Sequence, residues 1–400
     1  MAGFADLWLV DNGARAPAPW VDAKALLCVL ALLALGFVMV TSSSLEIAAR
    51  DLGNPLHFLE RRAVYAAAGV LCAAVAYFIA PSSLFRSGGW LMALSLLLLL
   101  VVFLPEVGRT VHGSRRWIGV GGLTFQPSEF VKLALVIYLA GYIARRDDAL
   151  RATTSAFVKP MLMVVLIGFL LLLQPDYGTA ALIAAVAFSM LWIAGVKLRC
   201  FFSFVLVFGS ALALLAVSSP YRWRRIVAFA DPWRDPFDSG YQLTQSLIAI
   251  GSGGWSGVGL GNSVLKLFYL PEAHTDFIFS VIAEELGFIG VCLMIALFWL
   301  LVQRCFAIGA RARREELIEG AYLSYGIGVW FGLQAFVNMA VAMGMLPTKG
   351  ITLPFISVGG SSLVVSLVCV GLLMRVHYEA QSRAPSLKYR RARGGGGRVR

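Results

Sequence analysis

Long apolar blocks separated by short polar breaks run along almost the whole chain. Ten can be delimited, at about 24–41, 62–80, 90–105, 128–144, 159–173, 178–195, 200–217, 276–302, 320–344 and 358–375. Within each block apolar residues follow one another continuously, without the three-and-four spacing of a helix that keeps one wet face. A helix needs about 20 apolar residues to cross roughly 30 Å of hydrocarbon. Most blocks approach that length, and the third and fifth fall shortest. The pattern predicts an all-α polytopic membrane protein of about ten transmembrane helices. Residues 1–23 form an N-terminal segment, 24–375 the spanning body and 376–400 a tail, with a long outer loop at about 218–275.

Composition agrees: 59% of the 400 residues are hydrophobic and 14% charged, too apolar for an ordinary soluble protein. An even number of spans puts both ends on one side. That side collects 21 Lys and Arg, against 12 on the other. Positive loops stay inside, so both termini are predicted to be cytoplasmic. The net charge of +12 is thus mostly a topology signal, and nothing in it points to nucleic acid. All six cysteines lie in spans or at their cytoplasmic ends, which argues against a disulfide framework. The start of the chain lacks the basic and apolar regions of a cleavable signal, so the first span is read as a retained anchor. The tail "SRAPSLKYRRARGGGGRVR" reads as disordered, positive-inside ballast in contact with membrane lipids.

Most loops are short, and 218–275 is the exception; loops of that length are usually functional. "DPWRDPFDSGY" carries the residues of successive turns, and "YQLTQSLIAI" suits a short amphipathic helix along the membrane surface. "GSGGWSGVGLGN" holds six glycines in twelve residues, which lets backbone approach backbone or ligand. Turn-rich and poor in large apolar runs, the loop is predicted to be a mobile cover that a partner could order. Arg222, Arg224 and Arg225 sit at its start, against the positive-inside trend. They suit phosphate snorkelling or an anionic substrate equally well.

Other polar groups collect on the same outer side. Arg115, Arg116 and Trp117 precede the fourth span, whose first turns hold Glu129 and Lys132 on one face. These two form a local ion pair or line a cavity, the default for charges within a membrane. Asp176 occupies a tight outer turn, where a plain turn acid is the simpler reading. "GMLPTKGITLPFISVGGSSL" brings Lys349 and Ser357 beside the last span with irregular backbone, which is tolerated at such depth only next to a cavity.

The eighth block opens "HTDFIFSVIAEELGFIG". Asp276 stands at its mouth, while Glu284 and Glu285 lie about 12–13 Å further down a helix rising 1.5 Å per residue. At about 100° per residue Glu284 is some 80° round from Asp276 and Glu285 nearly opposite, so the three form no single cluster. Asp276 is placed to act in an outer cleft or to cap the helix. Glu284 and Glu285 are expected to pair with cations such as Lys349 or the Arg222–Arg225 group. Four scattered His and membrane-buried Cys provide no zinc-ligand spacing.

"RRWIGVGGLTFQPSEFVKLA", "QPDYGTA", "GYQLTQSLIAIGSGGWSGVGLGNS", "LPEAHTDFIFSVIAEELGFIG" and "GMLPTKGITLPFISVGGSSL" together resemble the SEDS family (shape, elongation, division and sporulation), in the family's order and over nearly the whole chain. "PYRWRRIVAFADPWRDP" and "LPTKG" are similar to its division branch. Val358 departs from the family pattern, where Tyr is usual. The resemblance implies a ten-span peptidoglycan glycosyltransferase of the bacterial inner membrane that polymerises lipid II at the septum. It implies a divalent cation, Mg or Mn, with no organic cofactor. It also implies a class B penicillin-binding protein, FtsI, as paired transpeptidase, and the divisome membrane proteins FtsQ, FtsL, FtsB and FtsN as further partners. Carried onto this sequence, the family's essential acid is Asp276; its polar cavity matches Glu129, Lys132 and Asp176, and Lys349 and Ser357 match other motif positions. Arg116 and Arg224 are the arginines assigned here to the substrate.

Such chemistry suits the residues. A sugar hydroxyl must lose a proton as it attacks the donor's anomeric carbon, and a carboxylate can take it. The departing lipid diphosphate needs cations to offset its charge. Inversion from an axial diphosphate to a β-linked glycan takes one displacement and one base. A lipid II flippase would instead spread charges through to the cytoplasmic side. A non-catalytic divisome scaffold would leave Lys132, Glu284 and Glu285 unexplained.

Overall fold

The computed structural model describes residues 20–394, apart from 112–113, 121–122, 218–226, 228, 239, 264–273 and 348–349. Ten of its helices fall on the ten apolar blocks: α1 (Ala23–Leu52), α2 (His57–Phe78), α4 (Gly88–Val101), α5 (Pro127–Arg145), α7 (Thr154–Leu173), α8 (Tyr177–Ile193), α9 (Leu198–Val217), α11 (Ile278–Arg314), α12 (Ile318–Ala342) and α13 (Gly360–Gly394). Short helices α3 (Pro81–Arg86), α6 (Asp147–Ala152) and α10 (Tyr241–Ser252) lie between them. Among the described residues seven helices are long and apolar enough to cross a membrane, while α4 and α8 are apolar but shorter. The third block is therefore short as expected. The fifth is not: α7 starts at Thr154 and runs for 20 residues, with Pro160 inside the helix.

In the most apolar stretch of α5, 83% is buried, against 22% for α2. Hence α5 lies inside the bundle, against α4, α8 and α12, and α2 turns most of its surface to lipid while packing along α13. Trp330, Tyr322 and Phe331 of α12 are fully buried at the centre.

At the opposite end of the bundle from Asp22 and His377 the segment between α4 and α5 forms a three-stranded antiparallel sheet, β1 (Gly108–Val111), β2 (Ser114–Val120) and β3 (Leu123–Phe125). This small sheet was not legible: its strands run three to seven residues, too few for a period-2 pattern to stand out. It pairs Arg109 with Trp117 and Ile118 with Phe125, and it marks what is called here the sheet end.

Helix α13 runs on past residue 375, where Val376, His377 and Ala380 are still buried. His377 Nδ1 lies 3.6 Å from Asp22, the N-cap of α1, whose carboxylate also accepts from Ala25 N at 3.0 Å and from the guanidinium of Arg304 on α11. Burial pushes the Asp22 carboxyl up, but the Arg304 and Ala25 hydrogen bonds more than offset it and hold it below the ordinary value. The stability it contributes is therefore complete at neutral pH and is lost only as pH falls through that depressed value.

The long outer loop also departs from expectation. Gly287 has φ 64° and ψ −165°, a conformation open essentially to glycine alone, and it breaks α11 in two. The break frees carbonyls above it and N–H groups below it. The glycine-rich strap takes both sets: Val258 N donates to Glu284 O at 2.9 Å and Gly259 N to Glu285 O at 3.1 Å. In return Phe288 N donates to Gly254 O at 2.9 Å and Ile289 N to Trp255 O at 3.1 Å. Helix α10, amphipathic as foreseen, presses Leu243, Ser246 and Ala249 inward, and Ser246 bonds Ala342 O at 2.7 Å and Ser280 Oγ at 2.5 Å. The stretch 241–262 is thus a clamped part of the fold, where the composition had suggested a mobile cover.

Candidate active site

Asp276 occupies the turn just before α11, and its backbone is held from two sides. Asn338 Nδ2 of α12 donates to Asp276 O at 2.9 Å and to Ile351 O at 2.7 Å. Ser357 Oγ donates to Thr275 O at 2.7 Å and accepts from Leu353 N at 2.8 Å, while Val358 N donates to His274 O at 3.0 Å. Ser357 is therefore buried and ties the residue before the acid to the 353–357 turn. Phe277 occupies the cap position of α11, with no side-chain cap bond, and Asp276 stands one residue before it. Gly350 faces the carboxylate, and a methyl group there would stand 2.8 Å from Asp276 Oδ2. The space beside the acid is kept open by that missing side chain.

One turn along α12 from Asn338, Gln334 Nε2 donates to Thr352 O at 2.8 Å, and its Oε1 accepts from Lys132 Nζ at 2.9 Å and Trp330 Nε1 at 2.6 Å. Lys132 Nζ also lies 2.8 Å from Glu129 Oε1 and 5.0 Å above the Trp330 ring. Glu129 and Lys132 are thus brought together as predicted, both about 95% buried, and joined through α12 to the loop beside Asp276. The ammonium is already surrounded. Lys132→Met leaves Glu129 buried and uncompensated and should cost about 3–5 kcal/mol. Adding Glu129→Gln to it should recover most of the lost melting temperature in detergent; failure to recover would show that the pair does more than neutralise itself.

Asp176 caps α8, accepting from Thr179 N at 3.3 Å, and lies 3.6 Å from Arg116 Nη1. Arg116 in turn donates to Gln174 O at 2.9 Å and Pro175 O at 2.6 Å. The turn-acid reading of Asp176 holds, and Arg116 ties β2 to that turn. Glu285 accepts from Ser42 Oγ of α1 at 2.7 and 2.9 Å, and Glu284 accepts from Ser263 Oγ. Their described partners are hydroxyls on different neighbours. The cations expected for them, Lys349 and Arg222–Arg225, lie outside the described residues, as does the substrate arginine Arg224.

Arg62 was missed. It is 4% exposed, and its Nη1 donates to Ile356 O and Ser357 O at 2.9 and 3.0 Å and its Nη2 to Phe355 O at 2.5 Å. Gly36 of α1 makes room for it, since a methyl group there would meet Arg62 Nη2 at 2.3 Å. Arg62, Gln334 and Asn338 all carry the signal that an intramembrane polar residue gives, the last two at i, i+4 in one apolar block.

For the divalent cation, no three His, Cys, Asp or Glu stand together among the described residues. Glu129 Oε2 and Asp176 Oδ2 are, however, buried oxygens without a hydrogen-bond partner. Magnesium keeps several waters and takes one or two carboxylates plus phosphate oxygens. Among the described residues, the donor set fits a cation that arrives with a diphosphate better than one caged by carboxylates alone.

The sequence profile described as "Cell cycle protein", covering FtsW, RodA and SpoVE, matches residues 23–382. This chain belongs to that family. Its relatives include the "Probable peptidoglycan glycosyltransferase FtsW" of Thioalkalivibrio sulfidiphilus, 50% identical over 94% of each chain. The protein of the same name from Coxiella burnetii is 47% identical over 90% of this chain and 97% of its own. Among solved structures the fold is similar to a chain of a peptidoglycan synthase complex described as structurally coordinating polymerization and crosslinking (TM-score 0.73, 33% identity, 90% of this chain and 98% of that one). It is also similar to the rod shape determining protein RodA of Thermus thermophilus (TM-score 0.66, 33% identity, 89% and 96%). The FtsW/RodA/SpoVE family is thus shown across the whole bundle, Asp276 included.

Proposed function

We propose that this chain is a peptidoglycan glycosyltransferase that polymerises lipid II into glycan strands for septal wall synthesis, from the bacterial inner membrane. The observation that carries the reading is the Asp276 turn: a carboxylate at the sheet end, its backbone fixed by Asn338 and Ser357 and with Gly350, which has no side chain, against one of its oxygens. A general base must meet its proton at hydrogen-bond distance, and a braced backbone supplies that aim. Asp276 takes the proton of the acceptor's sugar hydroxyl while the hydroxyl oxygen attacks the donor's anomeric carbon. The bond to the lipid diphosphate breaks in the same displacement. A divalent cation bound with that diphosphate would supply charge stabilisation, and among the described residues Glu129 and Asp176 each have a buried carboxylate oxygen left to offer it.

A class B penicillin-binding protein, FtsI, is the proposed partner, supported by the likeness to a chain of a synthase complex that couples polymerization to crosslinking. FtsQ, FtsL, FtsB and FtsN follow from the resemblance to the division branch. Purified protein in detergent with lipid II and Mg or Mn should yield glycan ladders, weakly alone and more strongly with FtsI. Movement of lipid II between leaflets without ladders would make the protein a flippase. Neither activity, with FtsI bound, would make it a scaffold.

A further inference from the structure

A second polar feature is lined in part by His274 and Thr275, just before Asp276. It is a cleft of about 190 Å³ between the start of α2, the sheet and the start of α13. Phe58, Arg61, Arg62, Tyr65 and Trp117 form much of its wall, with Gly359 and Gly360 at its floor. We propose that this cleft holds the diphosphate of a lipid-linked sugar, a subsite that rests on the reaction proposed above and adds where its leaving group is bound.

Four observations lead there. Among the described residues, the lining includes two arginines and a histidine but no Asp or Glu, which favours an anionic ligand. Arg62 is buried with both Nη groups committed to carbonyls, while its Nε has no partner. A buried guanidinium N–H left without an acceptor carries a penalty that an anion would relieve. Arg61 donates to Thr124 Oγ1 at 2.9 Å and lies 5.8 Å over the Tyr65 ring, with no carboxylate at ion-pair distance among the described residues. Finally, α13 starts at Gly360 on the cleft floor, and the first N–H groups of any α-helix lack intrahelical partners and favour negative charge.

Size and position narrow the ligand. The cleft is smaller than the roughly 300–1,000 Å³ of a pocket for a drug-sized molecule, so the part it holds is a small charged group. Trp117 and Phe58, both half-buried, offer apolar walls to whatever is attached. Thr275 lines the cleft and Asp276 follows it in the chain, so a diphosphate here leaves its sugar near the base. The ammonium of Lys132, the other candidate for that charge, already has three neighbours.

The test uses the full chain in nanodiscs and measures binding of undecaprenyl diphosphate, with undecaprenol and phosphatidylglycerol as comparison lipids. Arg61→Gln should weaken undecaprenyl diphosphate binding by about tenfold or more, the size of one lost charge-assisted bond. It should leave undecaprenol binding unchanged, and Arg61→Lys should recover part of the loss. If Arg61→Gln does not fold, Arg61→Lys alone still decides, with a smaller loss confined to the diphosphate. Unchanged affinity, equal losses for undecaprenol, or equal competition by phosphatidylglycerol would overturn the subsite. Asp276→Asn run alongside should keep the binding and lose polymerisation. If it keeps both, the catalytic reading fails while the subsite stands.

Discussion

Asp276→Asn is expected to abolish glycan synthesis from purified lipid II, with a loss of about 10²–10⁴-fold from the missing base. The amide has nearly the shape of the carboxylate but cannot take a proton. The two described backbone braces remain, because Asn338 and Ser357 hold the carbonyls of Asp276 and Thr275. Membrane insertion and binding of FtsI should therefore persist. Asp276→Ala should lose as much, and near-normal ladders from either variant would remove Asp276 from the chemistry.

The second large effect is expected at the clamp between the strap and α11. A methyl group on Gly257 would stand 2.1 Å from Glu285 O, and one on Gly287 would stand 2.3 Å from Gly257 N. Both residues have positive φ, at 80° and 64°. Backbone strain alone costs about 1–3 kcal/mol at each, and the backbone atoms in the way cannot rotate aside as side chains do. Gly257→Ala and Gly287→Ala should open the four strap hydrogen bonds, speed amide exchange across 253–259 and reduce activity more than tenfold, by the sensitivity of rate to small misplacements. Gly251 is the control: nothing lies within 4 Å of a methyl group there, and it sits inside α10, where Ala is favoured. Gly251→Ala should be neutral or stabilising. Equal effects at 251 and 257 would mean that loss of glycine flexibility, and not the clamp, is what matters.

The helices were legible because continuous apolar runs leave the chain few alternatives in lipid. Glu129 with Lys132, and Asp276 at the mouth of its span, were legible because charges in such runs stand out. The sheet was not, since its strands are short and glycine-interrupted. The strap was misread because composition reports how readily glycines bend and says nothing of what they touch. Here their missing side chains let two backbones bond across Gly287. Arg62 stands at the edge of an apolar block, where a cation is ordinarily a lipid anchor. Only the fold shows it turned inward, onto the carbonyls of residues 355–357.

The break at Gly287 also bears on how the chain is made. Residues 278–286 rise only about 14 Å as a helix, half a bilayer. The 27 residues from 288 to 314 rise about 40 Å and can cross the hydrocarbon without them. Insertion of this helix into the membrane thus draws on the stretch below Gly287, while Glu284 and Glu285 ride above it. Substitutions in the upper stub can alter the reaction without changing the direction in which the nascent chain threads the bilayer.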